Sequence, residues 1–357
     1  MEFILGSNFV SLNMSNSKIK VGLVSYGMSG RIFHAPFIEQ HPNFELRLIL
    51  ERTKSNSKEA YPNATIVRSF DALIKTDEVD LIVVNGPTYL HFEMAKAALE
   101  AGKHVVLEKP MTATVQEGEA LIALAKKHNV QLAVYHNKRF EGGFKTIQKL
   151  LATDRIGTVQ DCTLAIHRFR PEIGPKAWKE DPHPGAGILY DIGSHLIDQV
   201  LMLFGWPVDL KADLQIQRAN GKVVDYFKIT FLYADFKATI VSDMLTNTPK
   251  PSISLLGTKG SFVKYGYDPQ ESRLAKHPIV WEGIGEDLVE NYGTLTTIKT
   301  NTTEKITTEN GDYGQFYQNV YEVLNGDAAL IIPPVEALDV IKIIEWATES
   351  GITKNQV

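Results

Sequence analysis

Short apolar runs alternate with helical stretches over the first 137 residues, and this alternation constrains the fold more than any other feature. The apolar runs lie at residues 19–24, 44–50, 65–67, 81–84, 104–107 and 131–135. Within the fifth run, Val105-Val106-Leu107 shows no polar alternation, which is typical of a strand buried on both faces. Strands and helices alternating at this spacing predict an α/β domain over residues 18–137. It would be a doubly wound parallel sheet of the Rossmann type with right-handed crossovers.

The second part of the chain follows a different pattern. Its predicted strands lie at residues 159–167, 210–217, 226–233, 236–244, 252–256 and 261–265. Consecutive strands, several joined by short turns such as Asn220-Gly221, predict an α+β domain over residues 138–357, built on a largely antiparallel sheet. Further predictions are a helix at 188–204, a last helix at 335–349 that could pack back on the first domain, an exposed hairpin or loop at 292–308 and a disordered extension at 1–17.

Composition narrows the class of protein. With 44% hydrophobic residues, 22% charged residues and a net charge of −5, the chain has the composition of a globular protein without a basic surface for nucleic acid. The single cysteine, Cys162, excludes an intrachain disulfide framework and a cysteine-based zinc site. No apolar run reaches the roughly 20 residues that span a bilayer, and the N-terminus lacks the basic region of a signal peptide. We therefore expect a cytoplasmic protein with no membrane partner.

A glycine turn follows the first predicted strand and precedes a helical stretch. The sequence there is Ser25-Tyr26-Gly27-Met28-Ser29-Gly30-Arg31. In the dinucleotide fingerprint G-x-G-x-x-G, glycines allow a tight turn and the close approach of the pyrophosphate to the helix. Gly27 and Gly30 keep this spacing, while Ser25 replaces the first glycine. The context favours a dinucleotide site over an ordinary tight turn.

The end of the second predicted strand is where the ribose of such a cofactor is recognised. Glu51, Arg52 and Thr53 stand there. A carboxylate would accept hydrogen bonds from the free 2′-hydroxyl of NAD, whereas an arginine would pair with the 2′-phosphate of NADP. Because both residue types are present, the residues leave the choice between NAD and NADP open.

Lys109 follows the fifth predicted strand, and Pro110 comes next. The strand therefore delivers this lysine to the carboxyl edge of the sheet, where ligands bind in open α/β folds. A lysine there could donate a proton or polarise a carbonyl group. The alternative is a solvated lysine without a function.

The predicted helix at 188–204 carries a second candidate group. Asp191 and His195 are four residues apart and Asp198 is three further on, so all three would share one helix face. A histidine held by a carboxylate is a general-base arrangement, although a core histidine bonded to a local aspartate has the same spacing. A metal site would need His136 or His167 in addition. The spacing contains no compact ligand motif, and we predict no metal.

Taken in order, these residues resemble the Gfo/Idh/MocA family of oxidoreductases (glucose–fructose oxidoreductase, inositol dehydrogenase). The resemblance covers residue 18 to the last helix. Its marks are Pro87-Thr88 with His91, Ala98-Leu99-Glu100-Ala101-Gly102-Lys103-His104-Val105, Glu108-Lys109-Pro110, and Asp191 with His195. The chain is similar to the branch of NADP-dependent scyllo-inositol dehydrogenases through Tyr135-His136-Asn137-Lys138-Arg139-Phe140, Arg168-Phe169-Arg170-Pro171-Glu172, Asp225-Tyr226-Phe227 and Lys264-Tyr265-Gly266.

The resemblance implies reversible hydride transfer between NADP or NAD and a secondary alcohol of a cyclitol or sugar, by a homodimer or homotetramer packed through the open face of the second sheet. Lys109, Asp191 and His195 would be catalytic. His195 would take the proton, Asp191 would orient His195, and Lys109 would bond the reacting oxygen. The residues expected to bind the cofactor are Ser25, Tyr26, Gly27, Met28, Ser29, Gly30, Arg31, Glu51, Arg52, Thr53, Gly86, Pro87, Thr88, His91, Glu108, Lys109 and Asn137. Those expected to bind the substrate are Lys109, Asn137, Arg168, Arg170, Trp178, Tyr226 and His195.

Two other functions remain open at this point. The same fold serves in regulators that bind a dinucleotide as sensors, although a sensor has no need of Lys109, Asp191 and His195 together. A reductase of a non-sugar carbonyl compound or a tetrapyrrole is the second alternative.

Overall fold

The computed structural model describes residues 18–175 and 177–355. For residues 177–178 and 352–355 only the backbone is described. The extension predicted at residues 1–17 lies outside the described residues. Within the described ranges, no helix is long and apolar enough to cross a membrane.

The first sheet has six strands, all parallel, in the order β3-β2-β1-β4-β5-β6. The strands are β1 (Ile19–Leu23), β2 (Phe44–Leu50), β3 (Thr65–Val67), β4 (Leu81–Val84), β5 (His104–Glu108) and β6 (Leu132–Tyr135). This is the strand order of a dinucleotide-binding Rossmann fold. Every residue of β4 and β6 is buried, as expected for strands covered by helices on both faces. The predicted doubly wound sheet is confirmed.

Five helices connect these strands: α1 (Ala35–Gln40), α2 (Ser57–Ala60), α3 (Phe70–Ile74), α4 (His91–Glu100) and α5 (Val115–His128). A π-helical turn, Gly30–His34, precedes α1 and joins it to the glycine turn. Thr114 begins α5 with a capping box, in which its side chain accepts a hydrogen bond from the Glu117 amide.

The second sheet has nine strands in the order β14-β13-β12-β11-β7-β10-β9-β8-β15. The strands are β7 (Val159–His167), β8 (Asp209–Ile216), β9 (Tyr226–Leu232), β10 (Lys237–Asp243), β11 (Ile253–Gly257), β12 (Gly260–Lys264), β13 (Gly293–Thr297), β14 (Thr302–Ile306) and β15 (Ile352–Asn355). The sheet is largely antiparallel, as predicted, and β13 and β14 form the hairpin expected in the threonine-rich stretch. Two pairs are parallel instead, β7 with β10 and β8 with β15.

Six helices belong to this part: α6 (Gly142–Ala152), α7 (Ala177–Glu180), α8 (Ser194–Phe204), α9 (Gln270–Lys276), α10 (Gly314–Leu324) and α11 (Pro334–Ser350). The predictions missed α10, whose aromatic residues complete the core of the first domain. Phe316 packs edge to face on Tyr135 with ring centroids 4.8 Å apart, and Tyr317 packs on Phe44. The described chain after β6 therefore returns to the Rossmann sheet.

The last helix, α11, joins the two domains near the site. Leu338 would lie 2.6 Å from a Cβ atom on Gly118, so a glycine in α5 lets α11 approach closely. Glu345 accepts a hydrogen bond from the Val115 amide at 2.8 Å. These contacts fix the helix that begins just after Ala113, and Ala113 in turn accepts a hydrogen bond from Tyr190 beside Asp191.

Candidate active site

The glycine turn after β1 is closed by the side chain of Asn85, at the end of β4. Asn85 accepts a hydrogen bond from the Ser25 amide at 2.8 Å and donates to the Ser25 carbonyl at 2.8 Å. A Cβ atom on Gly30 would lie 1.9 Å from that carbonyl, so only glycine fits there. Gly27 is exposed at the tip of the turn. The edge formed by β1 and β4 therefore offers backbone groups and little side-chain bulk to a ligand.

Lys109 leaves the carboxyl end of β5 at the same edge and reaches the second domain. Its Nζ atom donates to the carbonyl oxygen of Asp191 at 2.7 Å and to the Oδ1 atom of Asp191 at 3.1 Å. The Lys109-Pro110 peptide bond is cis. An ammonium group has three N–H donors, so these two bonds leave Lys109 one donor.

Glu108, the last residue of β5, is held by a buried chain of polar groups. Its Oε1 atom lies 3.0 Å from Nε2 of His34, and Nδ1 of His34 lies 2.7 Å from the hydroxyl of Tyr317. Burial would raise the pKa of Glu108, but the bond to His34 and the charge of Lys109 hold that pKa below its usual value. An ionised Glu108 also accepts a hydrogen bond from the Lys109 amide. Glu108 therefore fixes the backbone from which Lys109 extends.

His91 joins the ends of β4 and β5. Its Nδ1 atom lies 2.8 Å from the carbonyl oxygen of Pro110, and its Nε2 atom lies 3.0 Å from that of Gly86. Burial lowers the pKa of His91, so the ring is neutral and donates to one of the two carbonyls at a time. His91 is thus buried and links the segments that follow β4 and β5. Gly86, Pro87 and Thr88 are half-buried at the carboxyl edge of the sheet.

Asp191 lies in a π-helical turn, Leu189–Gly193, that precedes α8. Its Oδ1 atom accepts from Lys109, and its Oδ2 atom accepts from Lys179 at 2.9 Å. Burial alone would raise the pKa of Asp191, but the charges of Lys109 and Lys179 hold it well below the usual value. The carboxylate is therefore ionised and bound by two ammonium groups.

Asp191 was expected to orient His195, but among the described residues no hydrogen bond joins the two side chains. A π-helical turn has more residues per turn than an α-helix, so a separation of four residues does not place the two side chains directly above one another. Among the described residues, Nδ1 of His195 is buried and has no hydrogen-bond partner. The carboxylate of Asp191 acts on His195 through its negative charge, which partly opposes the lowering of the imidazole pKa by burial.

His195 lies in the first turn of α8 and is almost fully buried. Burial and the charges of Lys109 and Lys138 together hold the pKa of His195 well below its ordinary value, and Asp191 opposes them. The imidazole is therefore neutral at neutral pH and able to accept a proton. His136, a further buried neighbour, lowers the same pKa.

Asp198, which was predicted to share one helix face with Asp191 and His195, forms an ion pair with Arg139. Its two carboxylate oxygens accept from Nε and Nη2 of Arg139 at 2.9 and 2.6 Å. Arg139 also donates to Glu336 of α11 at 2.6 Å. This buried, bidentate pair ties α8 to the segment after β6 and does not face Lys109.

The candidate substrate-binding residues are distributed unevenly. Arg168 follows β7, is half-buried, and lies close enough to Asp191 to lower its pKa. Asn137 is buried at the start of a 3₁₀ turn, Asn137–Phe140. Arg170 is exposed, and its backbone amide donates to the Met244 carbonyl at 2.7 Å.

Tyr226 is the candidate that the structure directs away from this group. It alternates on β9 with the buried Phe227, whose ring lies 3.5 Å from where a Cβ atom on Gly193 would stand. Tyr226 therefore lies on the opposite face of the second sheet. The side chain of Trp178 lies outside the described residues.

The acidic candidate for ribose recognition is already bonded. Glu51 accepts hydrogen bonds from the Asn56 and Ser57 amides at 2.9 Å each and from the Ser57 hydroxyl at 2.5 Å. Burial would raise the pKa of Glu51, but these bonds hold that pKa below its usual value. Arg52 and Thr53 are exposed beside it. The carboxylate of Glu51 therefore stabilises the loop from residue 51 to residue 57, while Arg52 and Thr53 are exposed to solvent.

Several residues of the site were not predicted. Asn85 and His34 act on the backbone of the glycine turn and on Glu108. Asn85 could have been noticed as a polar residue ending a buried strand. Lys179 lies in α7, in a connection with no periodic pattern, and nothing in the sequence marked it. Within the described residues, no group of three histidine, cysteine, aspartate or glutamate side chains is placed to hold a metal ion.

Comparison with known proteins agrees with this geometry. The model of the oxidoreductase family with an NAD-binding Rossmann fold matches residues 19–136, and the C-terminal alpha/beta domain of the same family matches residues 148–357. The chain is 37% identical to a scyllo-inositol 2-dehydrogenase (NADP(+)) of Bacillus subtilis, over 95% of both chains. It is also 37% identical to an uncharacterized oxidoreductase of Escherichia coli, over 94% of this chain and 97% of the relative.

Solved structures agree in fold over almost the whole chain. An oxidoreductase from Bacteroides fragilis is 44% identical with a TM-score of 0.85, covering 94% of this chain and 97% of that one. An oxidoreductase from Bacillus subtilis has a TM-score of 0.89 at 36% identity, covering 94% and 96%. The protein is thus an oxidoreductase with an NAD-binding Rossmann domain. The chain belongs to the Gfo/Idh/MocA family, as the sequence motifs indicated.

Proposed function

We propose that this protein transfers a hydride between NADP(H) and a secondary alcohol or ketone of a polyhydroxylated compound such as a cyclitol. The observation that carries the proposal is the bond between Lys109, at the edge of the dinucleotide-binding sheet, and Asp191, beside His195 in the second domain. A nicotinamide bound at this edge supplies or accepts the hydride. The protein residues then have to hold the reacting oxygen and move its proton.

Three side chains divide that work. Lys109 donates its remaining N–H to the reacting oxygen, which stabilises the negative charge that develops there as the proton leaves. His195, neutral because its pKa is lowered, accepts the hydroxyl proton during oxidation and returns it during reduction. Asp191 holds the ammonium group of Lys109 at two points and thereby sets its direction.

The cofactor edge fits a dinucleotide in shape. Gly30 permits an approach between helix and turn that any side chain would block, because its Cβ would meet the Ser25 carbonyl. Asn85 holds that turn closed from β4. The exposed Gly27 and Met28 would then lie against the pyrophosphate.

The surroundings of Glu51 favour NADP over NAD. An NAD-specific carboxylate must be free to accept bonds from the ribose hydroxyls, and that of Glu51 already accepts three bonds from its own loop. Arg68 also braces this loop, donating to the Glu51 carbonyl at 2.7 Å and to the Ser55 hydroxyl at 2.9 Å. Arg52 is left exposed, where it could pair with a 2′-phosphate.

Two measurements test the proposal. Incubation with NADP and a panel of inositols and aldoses should give the absorbance of the reduced cofactor with at least one of them. Silence across the panel with NADP and again with NAD would exclude a cyclitol or sugar dehydrogenase and leave the sensor and the non-sugar reductase.

The cofactor choice is tested by Arg52→Ala. The ratio of kcat/KM with NADP to kcat/KM with NAD should fall about tenfold, the value of one lost charge-assisted contact. Arg47→Ala is the matched control, since Arg47 is a half-buried arginine of β2 that pairs with Glu78 instead. An unchanged ratio in the Arg52 variant would remove the assignment to NADP.

A further inference from the structure

Lys179 contacts the candidate catalytic group, although no sequence pattern marked it. Its Nζ atom lies 2.9 Å from Oδ2 of Asp191, on the oxygen that Lys109 does not use. The side chains of Lys179 and Asp191 are each about one-third exposed, at 31% and 30%. The pair therefore lies at the mouth of the site and not in the core.

The neighbouring residue explains why Lys179 stands there. Glu180 pairs with Nη2 of Arg218 at 2.7 Å, and Nε of Arg218 pairs with Asp225 at 2.9 Å. The side chain of Arg218 is 4% exposed and that of Asp225 is fully buried. Such a buried, multiply bonded arginine is a rigid anchor. Arg218 thus fixes Glu180 to the connection between β8 and β9. Lys179, the residue before Glu180, is thereby held next to Asp191.

We propose that Lys179 is a positioning residue for hydride transfer, which holds the carboxylate of Asp191 in the plane that directs Lys109 at the reacting oxygen. The inference rests on the proposed function. With ammonium groups on both oxygens, the carboxylate is fixed against rotation. Lys109 alone would leave Oδ2 without a hydrogen-bond partner among the described residues. Lys179 also adds a positive charge next to the site of proton transfer.

That charge should be felt at His195. Among the described residues, the groups whose charges act most strongly on His195 are Lys109 after β5, His136 and Lys138 after β6, and Asp191 before α8. Asp198, three residues on in α8, is paired with Arg139. Lys179 offsets part of the charge of Asp191, which is the group that raises the pKa of His195. Removing Lys179 should therefore raise the pKa of His195. A purely structural role, in which the pair only fastens α7, predicts no such change.

The experiment compares Lys179→Met, Lys179→Arg and Asp181→Asn. Asp181 is the matched control, because it pairs with Lys222 at 2.8 Å on the same segment, and both side chains are largely exposed. We expect Lys179→Met to lower kcat about tenfold to a hundredfold with an unchanged Kd for NADPH, and exogenous ammonium to restore part of it. Lys179→Arg should keep most of the activity, and Asp181→Asn all of it.

The second readout is the titration of His195 by NMR, which needs no turnover. In Lys179→Met its pKa should rise by roughly half to one unit, the usual effect of one nearby charge, and in Asp181→Asn it should not move. Unchanged kcat and an unchanged titration in Lys179→Met would overturn the inference. If wild-type enzyme turns over no member of the panel while the titration shifts, the proposed function fails and the position of Lys179 on Asp191 stands.

Discussion

Asp191 and Asp198, the two aspartates on either side of His195, differ in their charged partners and in their exposure to solvent. Asp198 is bound by one arginine through a rigid fork, and both side chains are sealed from solvent. Asp191 is bound by two lysines from different parts of the chain, and nearly a third of its side chain is exposed. Arg139 holds Asp198 through a single rigid, planar guanidinium group, whereas Asp191 is held by two separate ammonium groups on long stems. We therefore expect the pair of Asp198 and Arg139 to stabilise the fold, and the lysines on Asp191 to serve the proposed hydride transfer.

Asp198→Asn should produce the largest change in stability. It leaves the buried guanidinium of Arg139 without its bidentate partner, and breaking a buried pair in this way costs about 3–5 kcal/mol. Chemical denaturation gives the free energy of unfolding. A loss below about 1 kcal/mol, the range of exposed pairs, would remove the contrast between the two aspartates.

Asp191→Asn should show the opposite profile. Lys109 loses its charged partner, so kcat should fall about tenfold to a hundredfold, while the free energy of unfolding changes by less than about 1 kcal/mol because the group is partly exposed. Steady-state kinetics and denaturation on the same preparation provide both numbers. A variant that keeps full turnover but unfolds easily would assign Asp191 to the fold.

The pH profile of alcohol oxidation tests whether His195, between the two aspartates, accepts the proton. Because burial and the lysine charges lower the pKa of His195, its imidazole stays neutral and able to accept a proton below the ordinary histidine range. We expect kcat/KM to show no acidic limb centred near the usual value of about 6.5. A limb at that value would mean that His195 is solvated or that another group is the base.

Much of the fold could be predicted from the sequence, because buried strands of a parallel sheet are continuous apolar runs. The runs at β2, β3 and β4 match the observed strands residue for residue. By contrast, α10 was missed because its aromatic residues are average helix formers and are placed by packing against Tyr135.

The candidate site was predicted from local patterns alone. Lys109 was singled out because it follows a predicted strand, and His195 because it stands four residues after Asp191 in a predicted helix. The π-helical turn of Leu189–Gly193 has the same apolar spacing as the helix that follows, and it moved Asp191 out of line with His195. Lys179 and its anchor Arg218 meet through tertiary contacts between residues far apart in sequence, which no local pattern contains.

We propose that Lys109 acts on the reacting oxygen from the edge of the dinucleotide-binding sheet. Single-turnover hydride transfer in Lys109→Met tests it most directly, with Lys103→Met as control, because Lys103 precedes the same strand and bonds the carbonyls of Thr76 and Val79. We predict a rate about a hundredfold to ten-thousandfold lower for Lys109→Met, with unchanged binding of NADPH, and a normal rate for folded Lys103→Met. Equal rates in wild type and Lys109→Met would mean that Lys109 does not act on the reacting oxygen.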